Sequence, residues 1–351
     1  MTKPIIIIQF NEANFDTIQQ YVEKYSFEGL KKVLNSPTQI KTISENVHEH
    51  LEPWIQWYSF YTNKPYSEHK VFHLGDCLKN NHKSFFDHSS DMGSSIGIFS
   101  SMNLKPNKKF KIYIPDPWTE ANSDNSLSSR FVSTALKDIV NSNARFKISF
   151  KSILGLFFLI GFPKSKNIFT VILKSIKSFI SKSRTKLAAY FDFFIYNYAM
   201  EKIIKKEIDL SAIFLNGFAH VQHHYYLSSE FVEGNNPNWY HSTTSDSIYD
   251  SLKIYNKLFI DIYNKYENLF EIWIVTGLSQ SPLNESLFYW RFKNHQHILS
   301  HFLKFNFKII PRMTRDFEIV YTNDKDLKKI LVFLNGATVL DDNKEQKAFG
   351  H

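Results

Sequence analysis

The chain has 351 residues, 43% of them hydrophobic and 22% charged, which is enough apolar sequence for one large core or two ordinary ones and excludes a disordered chain. Its single cysteine, Cys77, excludes an internal disulfide and a zinc site built on several thiolates. The net charge is +8, and no apolar run reaches the roughly 18 residues of a membrane span, so we expect a cytoplasmic protein.

Short apolar runs at intervals along the chain predict strands that alternate with helices. The strand candidates before residue 280 share an enrichment in Ile, Val and aromatic residues and lie at 5–10, 40–44, 95–100, 212–216 and 271–276. Helical spacing predicts helices between them, over 15–34, 52–62 and 249–266. This alternation is typical of a doubly wound, mostly parallel α/β sheet with helices on both faces.

The pattern changes after residue 305. Short strand candidates follow at 307–310, 317–322 and 331–334, which indicates a small α+β part over 307–351. The sequence stops at His351 in what resembles the middle of a domain, so we expect this C-terminal part to be truncated. The α/β core is accordingly assigned to 1–142 and 207–306.

The segment 143–206 interrupts the alternation and is strongly basic. Between 145 and 206 there are thirteen Lys or Arg and two acidic residues, a net charge of +11 that exceeds the charge of the whole chain. Helical spacing at 168–180 and 187–198 indicates a basic helical insertion. Two interpretations stay open: peripheral contact with an anionic membrane, which would make the protein membrane-associated, and a solvated cap over the active-site face. Nucleic acid is disfavoured, because zinc-finger spacing, an RNP motif and a recognition helix are all missing from the sequence.

Three histidines, at 220, 223 and 224, follow the apolar run at 212–218. Imidazole is the commonest metal ligand and titrates near neutrality. A strand that ends in a histidine cluster predicts a ligand site at the carboxyl edge of the sheet. The alternative is one histidine in the core and two on the surface.

Four segments carry a family resemblance when they are taken in chain order. They are Ile-Ile-Ile-Ile-Gln-Phe-Asn-Glu at 5–12, Thr-Asn-Lys-Pro-Tyr-Ser-Glu-His at 62–69, Ala-His-Val-Gln-His-His-Tyr-Tyr at 219–226 and Ile-Val-Thr-Gly-Leu-Ser at 274–279. Together they resemble the alkaline phosphatase superfamily, in particular its type I phosphodiesterase and sulfatase-like branch. The resemblance covers about residues 4–280 and implies an α/β fold with metal-dependent chemistry on phosphate or sulfate esters.

The chain departs from this family at most of the metal-binding positions. Asn11 stands where the family's first strand ends in a metal-binding Asp, and Gly277 and Leu278 replace its Asp-His pair. Two divalent ions need several carboxylates to balance their charge, so a two-metal site is disfavoured. The resemblance leaves two alternatives open. One is a single divalent ion, zinc or manganese, with Glu12 and His223 as its metal ligands and His220 or Glu52 as a further candidate. The other is a metal-free site that keeps the fold and binds an anionic sugar phosphate.

The catalytic candidates come from the same segments. His220 or His224 would act as general acid or base. Ser59 is the hydroxyl nearest to the place where the family carries its nucleophile.

Three residues are candidates for substrate binding: Asn11, Trp57 and Arg312. Arg is the natural clamp for phosphate or sulfate, although a surface ion pair would explain Arg312 as well. Trp57 has core packing as its alternative role.

The substrate class is implied by a second resemblance. Pro-Asp-Pro-Trp-Thr at 115–119 and Pro-Arg-Met-Thr-Arg-Asp at 311–316 are similar to superfamily members found among bacterial surface-polysaccharide genes. This implies a small-molecule or glycan phosphate or sulfate ester as the substrate. The first hypothesis is a hydrolase or transferase for such an ester. The second is a catalytically degenerate protein that binds a phosphorylated or lipid-linked sugar without hydrolysing it.

Overall fold

The central sheet of the computed structural model contains five parallel strands in the order β3-β2-β4-β1-β5. They are β1 (Ile5–Phe10), β2 (Ile96–Phe99), β3 (Ile112–Ile114), β4 (Leu210–Leu215) and β5 (Glu271–Val275). The structure describes residues 3–141, 149–161, 186–234, 245–282, 292, 294–311, 317–341 and 344–349. Since β1 pairs with β4 on one side and with β5 on the other, the carboxyl ends of these three strands meet at one edge. The predicted α/β class with a parallel sheet is confirmed.

Helices flank this sheet within a first compact unit, residues 1–286. In chain order they are α1 (Phe15–Lys24), α2 (Glu28–Leu34), α3 (Pro53–Thr62), α4 (Tyr66–His69), α5 (Phe85–Asp91), α6 (Leu127–Asn141), α7 (Phe150–Gly161), α8 (Leu187–Lys205), α9 (Gly217–Tyr225) and α10 (Ser247–Tyr266). Side-chain N-caps mark the first residues of two of these helices. The side chain of Asn14 accepts from the Thr17 amide at the start of α1, and the side chain of Asp246 caps α10 in the same way.

Strand β1 shows why its apolar run is continuous rather than alternating. Ile6, Ile8 and Phe10 point into a core formed with α8 and α10, while Ile7 points into a second core that contains Trp57 of α3. All five side chains are buried. A strand covered by helices on both faces needs apolar residues on both, as parallel sheets generally do.

The second compact unit comprises residues 287–351. It contains α11 (His295–Phe302), β6 (Lys308–Pro311), β7 (Phe317–Val320), α12 (Asp324–Gly336), β8 (Thr338–Asp341) and β9 (Lys344–Lys347), with β6–β7 and β8–β9 as antiparallel pairs. Leu299 and Leu303, in and just after α11, pack with Ile330 of α12. Helix α11 therefore belongs to this unit, which starts before the boundary at 307 that the sequence suggests.

Two predicted strands are wrong, and three observed strands, β3, β8 and β9, were not predicted. Residues 40–44 form no regular element, and Ile40 and Ile43 are 84% and 97% exposed. Residues 331–334 lie inside α12. The three-residue strand β3 is too short to give a period, and the single helix expected over 15–34 is divided into α1 and α2 at residues 25–27.

The basic insertion is described in part. Helix α8 confirms the helix expected at 187–198 and extends it to Lys205. The helix expected at 168–180 lies outside the described residues. Among the helices that are described, none combines the length and apolarity needed to cross a bilayer.

Candidate functional site

Asn11 and Glu12 lie directly after β1, at the carboxyl edge where three strands end. The backbone N–H of Asn11 donates to the Leu215 carbonyl of β4 at 3.0 Å, and the backbone N–H of Glu12 donates to the Thr276 carbonyl after β5 at 2.9 Å. Glu12 has a φ of 54°, in the left-handed region. A side chain there costs about 1–2 kcal/mol relative to the ordinary conformation, and such residues concentrate at functional sites.

The carboxylate of Glu12 is buried and accepts from three side chains. Asn11 Nδ2 donates to Oε1 at 3.2 Å, and Gln280 Nε2 donates to Oε2. His223 Nε2 lies 3.0 Å from the same Oε2. Only 6% of the Glu12 side chain is exposed, against 59% for His223. The structure therefore brings the two predicted metal ligands together, with histidine on the solvent side.

The orientation of Asn11 is determined by two further hydrogen bonds. Trp57 Nε1 donates to Asn11 Oδ1 at 2.7 Å, and Asn11 Nδ2 donates to Asn216 Oδ1 at 2.8 Å. Because the indole N–H can only donate, the oxygen of Asn11 must face Trp57 and the NH₂ must face Glu12. Gln222 Nε2 donates to the Glu12 carbonyl at 2.8 Å and holds the strained residue from the other side.

Helix α9 carries the three histidines. His220 and His224 are one turn apart, and their rings are in contact at a tilt of 56°, with centroids 4.6 Å apart. Burial lowers the pKa of His220 to about 4, helped by the neighbouring His224 and His223, so His220 is neutral at pH 7. His223 alone of the three points to Glu12 among the contacts described.

The start of α9 is anchored by Asp192 of α8. Its Oδ2 accepts from the Gly217 amide at 2.7 Å and from the Tyr255 hydroxyl at 2.6 Å. A Cβ at 217 would lie 2.5 Å from the Ala188 carbonyl oxygen, so only glycine allows this close approach. Burial raises the pKa of Asp192 to about 7, while its hydrogen bonds oppose that rise.

Ser59 is hydrogen-bonded to His69, the last residue of α4. Its Oγ lies 3.0 Å from His69 Nε2, and His69 Nδ1 accepts from the Val71 amide at 3.0 Å. The bond from Val71 places the proton of the neutral ring on Nε2, so His69 donates to Ser59 and does not act as its base. Burial lowers the pKa of His69 to about 4, which keeps the ring neutral. Since Ser59 lies two positions after Trp57, its side chain points about 160° away from the Asn11 side of α3.

The other predicted binding residues are distributed differently. The indole of Trp57 is fully buried, and it lies 3.0 Å from where a Cβ at Gly277 would be. Gly277 also has a φ of 73°, so a ligating side chain at this position would be strained and would meet Trp57. Trp57 therefore holds the side chain of Asn11 by a hydrogen bond from within the core. Arg312 lies outside the described residues.

Three residues of the site were given no role from the sequence: Asn216, Gln222 and Gln280. Asn216 directly follows β4, and Gln280 comes shortly after β5, as Asn11 follows β1. Polar residues after buried strands are a usable signal, because the ends of parallel strands meet at one edge.

The donor atoms of Glu12 and His223 fit one transition-metal ion. Their separation of 3.0 Å is near the roughly 3.3 Å between two ligands of a tetrahedral zinc. A larger cluster is missing from the described part of the chain, where no three His, Cys, Asp or Glu side chains are grouped to hold a metal. Within the described ranges, further ligands would have to be amides, water or substrate.

Comparison with protein-family models, with curated proteins and with solved structures finds no match for this chain. An inference of function therefore depends on the geometry of the carboxyl edge. The resemblance of the four sequence segments is the second line of support.

Proposed function

We propose that this protein acts on a phosphate or sulfate ester, as a hydrolase or transferase, at the carboxyl edge of its sheet. Glu12 and His223 would hold one zinc or manganese ion there. The observation that supports this most directly is the buried Glu12 carboxylate, in a strained backbone conformation, 3.0 Å from a solvent-facing histidine. The resemblance of the segments adds surface-polysaccharide metabolism as the setting.

Electrostatics link the metal to the substrate. A carboxylate repels a phosphate or sulfate group, so an anion binds beside Glu12 only when a cation lies between them. A bound divalent ion would supply that charge and polarise the ester. Asn11 and Gln280 hold the Glu12 carboxylate in its orientation through hydrogen bonds. The neutral His220, on the same helix as His223, would accept a proton.

A second candidate is binding without hydrolysis, and one observation favours it. Three donors already satisfy the Glu12 carboxylate, and a side chain at Gly277 would meet Trp57. A site completed in this way suits hydroxyl groups of a sugar, which exchange hydrogen bonds with carboxylate, amide and imidazole. A phosphorylated or lipid-linked sugar would then be recognised through its sugar part.

Metal content distinguishes the two candidates. Elemental analysis of the purified full chain should find about one equivalent of zinc or manganese, because one carboxylate and one imidazole serve a single ion. His223→Ala and Glu12→Gln should both lose it. His297→Ala is the matched control, since His297 is also an exposed helical histidine but lies in the second unit.

The catalytic part of the proposal is tested with aryl phosphate monoesters, phosphodiesters and sulfate esters. Turnover that requires the metal and disappears in His223→Ala would support an enzyme. If the wild-type protein retains no metal after dialysis against zinc and manganese, the metal-dependent reading is wrong. Calorimetric binding of sugar phosphates to the metal-free protein would then support the second candidate.

A further inference from the structure

Helix α7 is held firmly against α6 by its inner face. A Cβ at Gly155 would lie 2.1 Å from the Phe131 carbonyl oxygen and 2.7 Å from the Ala135 Cβ, so the two helices touch at backbone distance. At the start of α7, Ser152 Oγ donates to the carboxylate of Asp138. These contacts determine which face of α7 points outward.

The outward face carries a stripe of large apolar side chains. Phe150, Ile153 and Phe157 are 74%, 45% and 68% exposed. At 100° per residue they fall within about 60° of one another, opposite the fully buried Ser152 and Leu159. We call these three residues the outer stripe. Single exposed apolar residues are ordinary, but a contiguous stripe on a fixed helix marks a contact surface.

The sequence around α7 carries charge of one sign. Residues 143–186 contain ten Lys or Arg and no Asp or Glu. Lys151, next to the outer stripe, is exposed on α7 itself. A dense positive charge without acidic residues favours an anionic partner over a neutral one.

We propose that the outer stripe of α7 is a membrane-contact surface that inserts into the interface of a bilayer containing anionic lipids. Aromatic and aliphatic side chains enter the boundary between headgroups and acyl chains, while lysines attract the lipid phosphates. Helix α7 has twelve residues and is therefore about 18 Å long, too short to cross a bilayer, so it lies on the surface. This inference does not depend on the proposed function.

Vesicle flotation of the full chain tests the proposal. The protein should float with vesicles of phosphatidylcholine and phosphatidylglycerol, less with phosphatidylcholine alone, and less as the salt concentration rises. Phe150→Ser combined with Phe157→Ser should lower the apparent partition coefficient roughly tenfold or more, because two aromatic side chains no longer leave water. Met92→Ser combined with Val332→Ser is the matched control, since both residues are exposed by 75% or more elsewhere.

Other occupants of the stripe give different results. If the wild-type chain does not float with anionic vesicles, or the stripe variant floats equally well, the proposal is overturned. If the wild type is a dimer that the stripe variant dissociates, and neither binds vesicles, the stripe is an interface between copies.

A labelled variant provides a test that does not depend on losing binding. Phe157→Cys carrying an environment-sensitive fluorophore should shift its emission to the blue when anionic vesicles are added. Cys77 is fully buried and should remain unlabelled. An unchanged emission spectrum would contradict insertion of the stripe.

Discussion

The substitution Asn11→Asp tests the geometry of the site most directly. Asn11 Nδ2 lies 3.2 Å from Glu12 Oε1 and 2.8 Å from Asn216 Oδ1, while its oxygen accepts from Trp57. The new carboxylate would keep the bond from Trp57 with one oxygen. Its second oxygen would replace the NH₂ donor and face the carboxylate of Glu12.

The expected destabilisation follows from the 3.2 Å distance between Asn11 Nδ2 and Glu12 Oε1. Two unit charges 3.2 Å apart repel by about 5 kcal/mol at an effective dielectric constant of ~20, which is an upper bound for this pair. The amide of Asn216 can turn to donate to Asp, which removes part of the cost. We expect the free energy of unfolding at pH 8 to fall by roughly 2–4 kcal/mol relative to wild type. At low pH the two carboxyl groups share a proton, so the deficit shrinks as the pH falls from 8 to 5.

Urea unfolding at both pH values, with and without zinc or manganese, measures these effects. A divalent ion should restore stability to Asn11→Asp, because two carboxylates and His223 would then surround it. Asn11→Ala is the control, since it loses the two hydrogen bonds of the NH₂ group, and the one from Trp57 as well, without adding charge, so its deficit should not depend on pH. If Asn11→Asp is as stable as wild type at pH 8 without metal, Asn11 does not donate to Glu12 as described.

Three further predictions concern the scaffold. Gly155→Ala should lower the free energy of unfolding by about 3 kcal/mol or more in urea titrations, because its Cβ would overlap the Phe131 carbonyl; a loss under 1 kcal/mol would contradict the close α6–α7 contact. Burial raises the pKa of Asp192 to about 7, so the stabilisation from this carboxyl group is greatest below about pH 4 and declines as the pH rises to 7. The stability of Asp192→Asn relative to wild type should therefore increase over that range, by up to about 1.4 kcal/mol per pH unit. A stability difference that does not change with pH would refute this. Burial also raises the pKa of the Cys77 thiol, so a thiol reagent should react with it in urea and not in the native protein, and rapid native labelling would disprove its burial.

The strands of the sheet were largely predictable because burial on both faces leaves a continuous apolar run. The runs at 5–10, 95–100, 212–216 and 271–276 all correspond to strands. The run at 331–334 was wrongly predicted as a strand, because four apolar residues fit a strand or one turn of a helix equally well. It is helical because it lies within a longer helix that is capped by Asn323. The exposed residues 40–44 show that local β-propensity needs a partner strand to form an element.

The site was predictable only in part. The positions of Glu12 and His223 follow from their places after β1 and β4, and the structure brings them to 3.0 Å. Gln280 contacts Glu12 from 268 residues along the chain, a distance over which no periodic pattern extends. The role of Ser59 depends on the tautomer of His69, which is determined by one backbone amide.

The sequence by itself determined which segments are buried and where polar residues follow a strand, because burial is recorded in local apolar spacing. It also determined the concentration of positive charge over 143–206. Only the tertiary structure decided that Trp57 supports Asn11, that Asp192 anchors α9, and that α7 presents Phe150 and Phe157 to solvent. These outcomes depend on packing between elements that are far apart in the chain. There, the role of a residue is determined by the shape and the hydrogen-bonding groups of the residues that pack against it, and not by its own type alone.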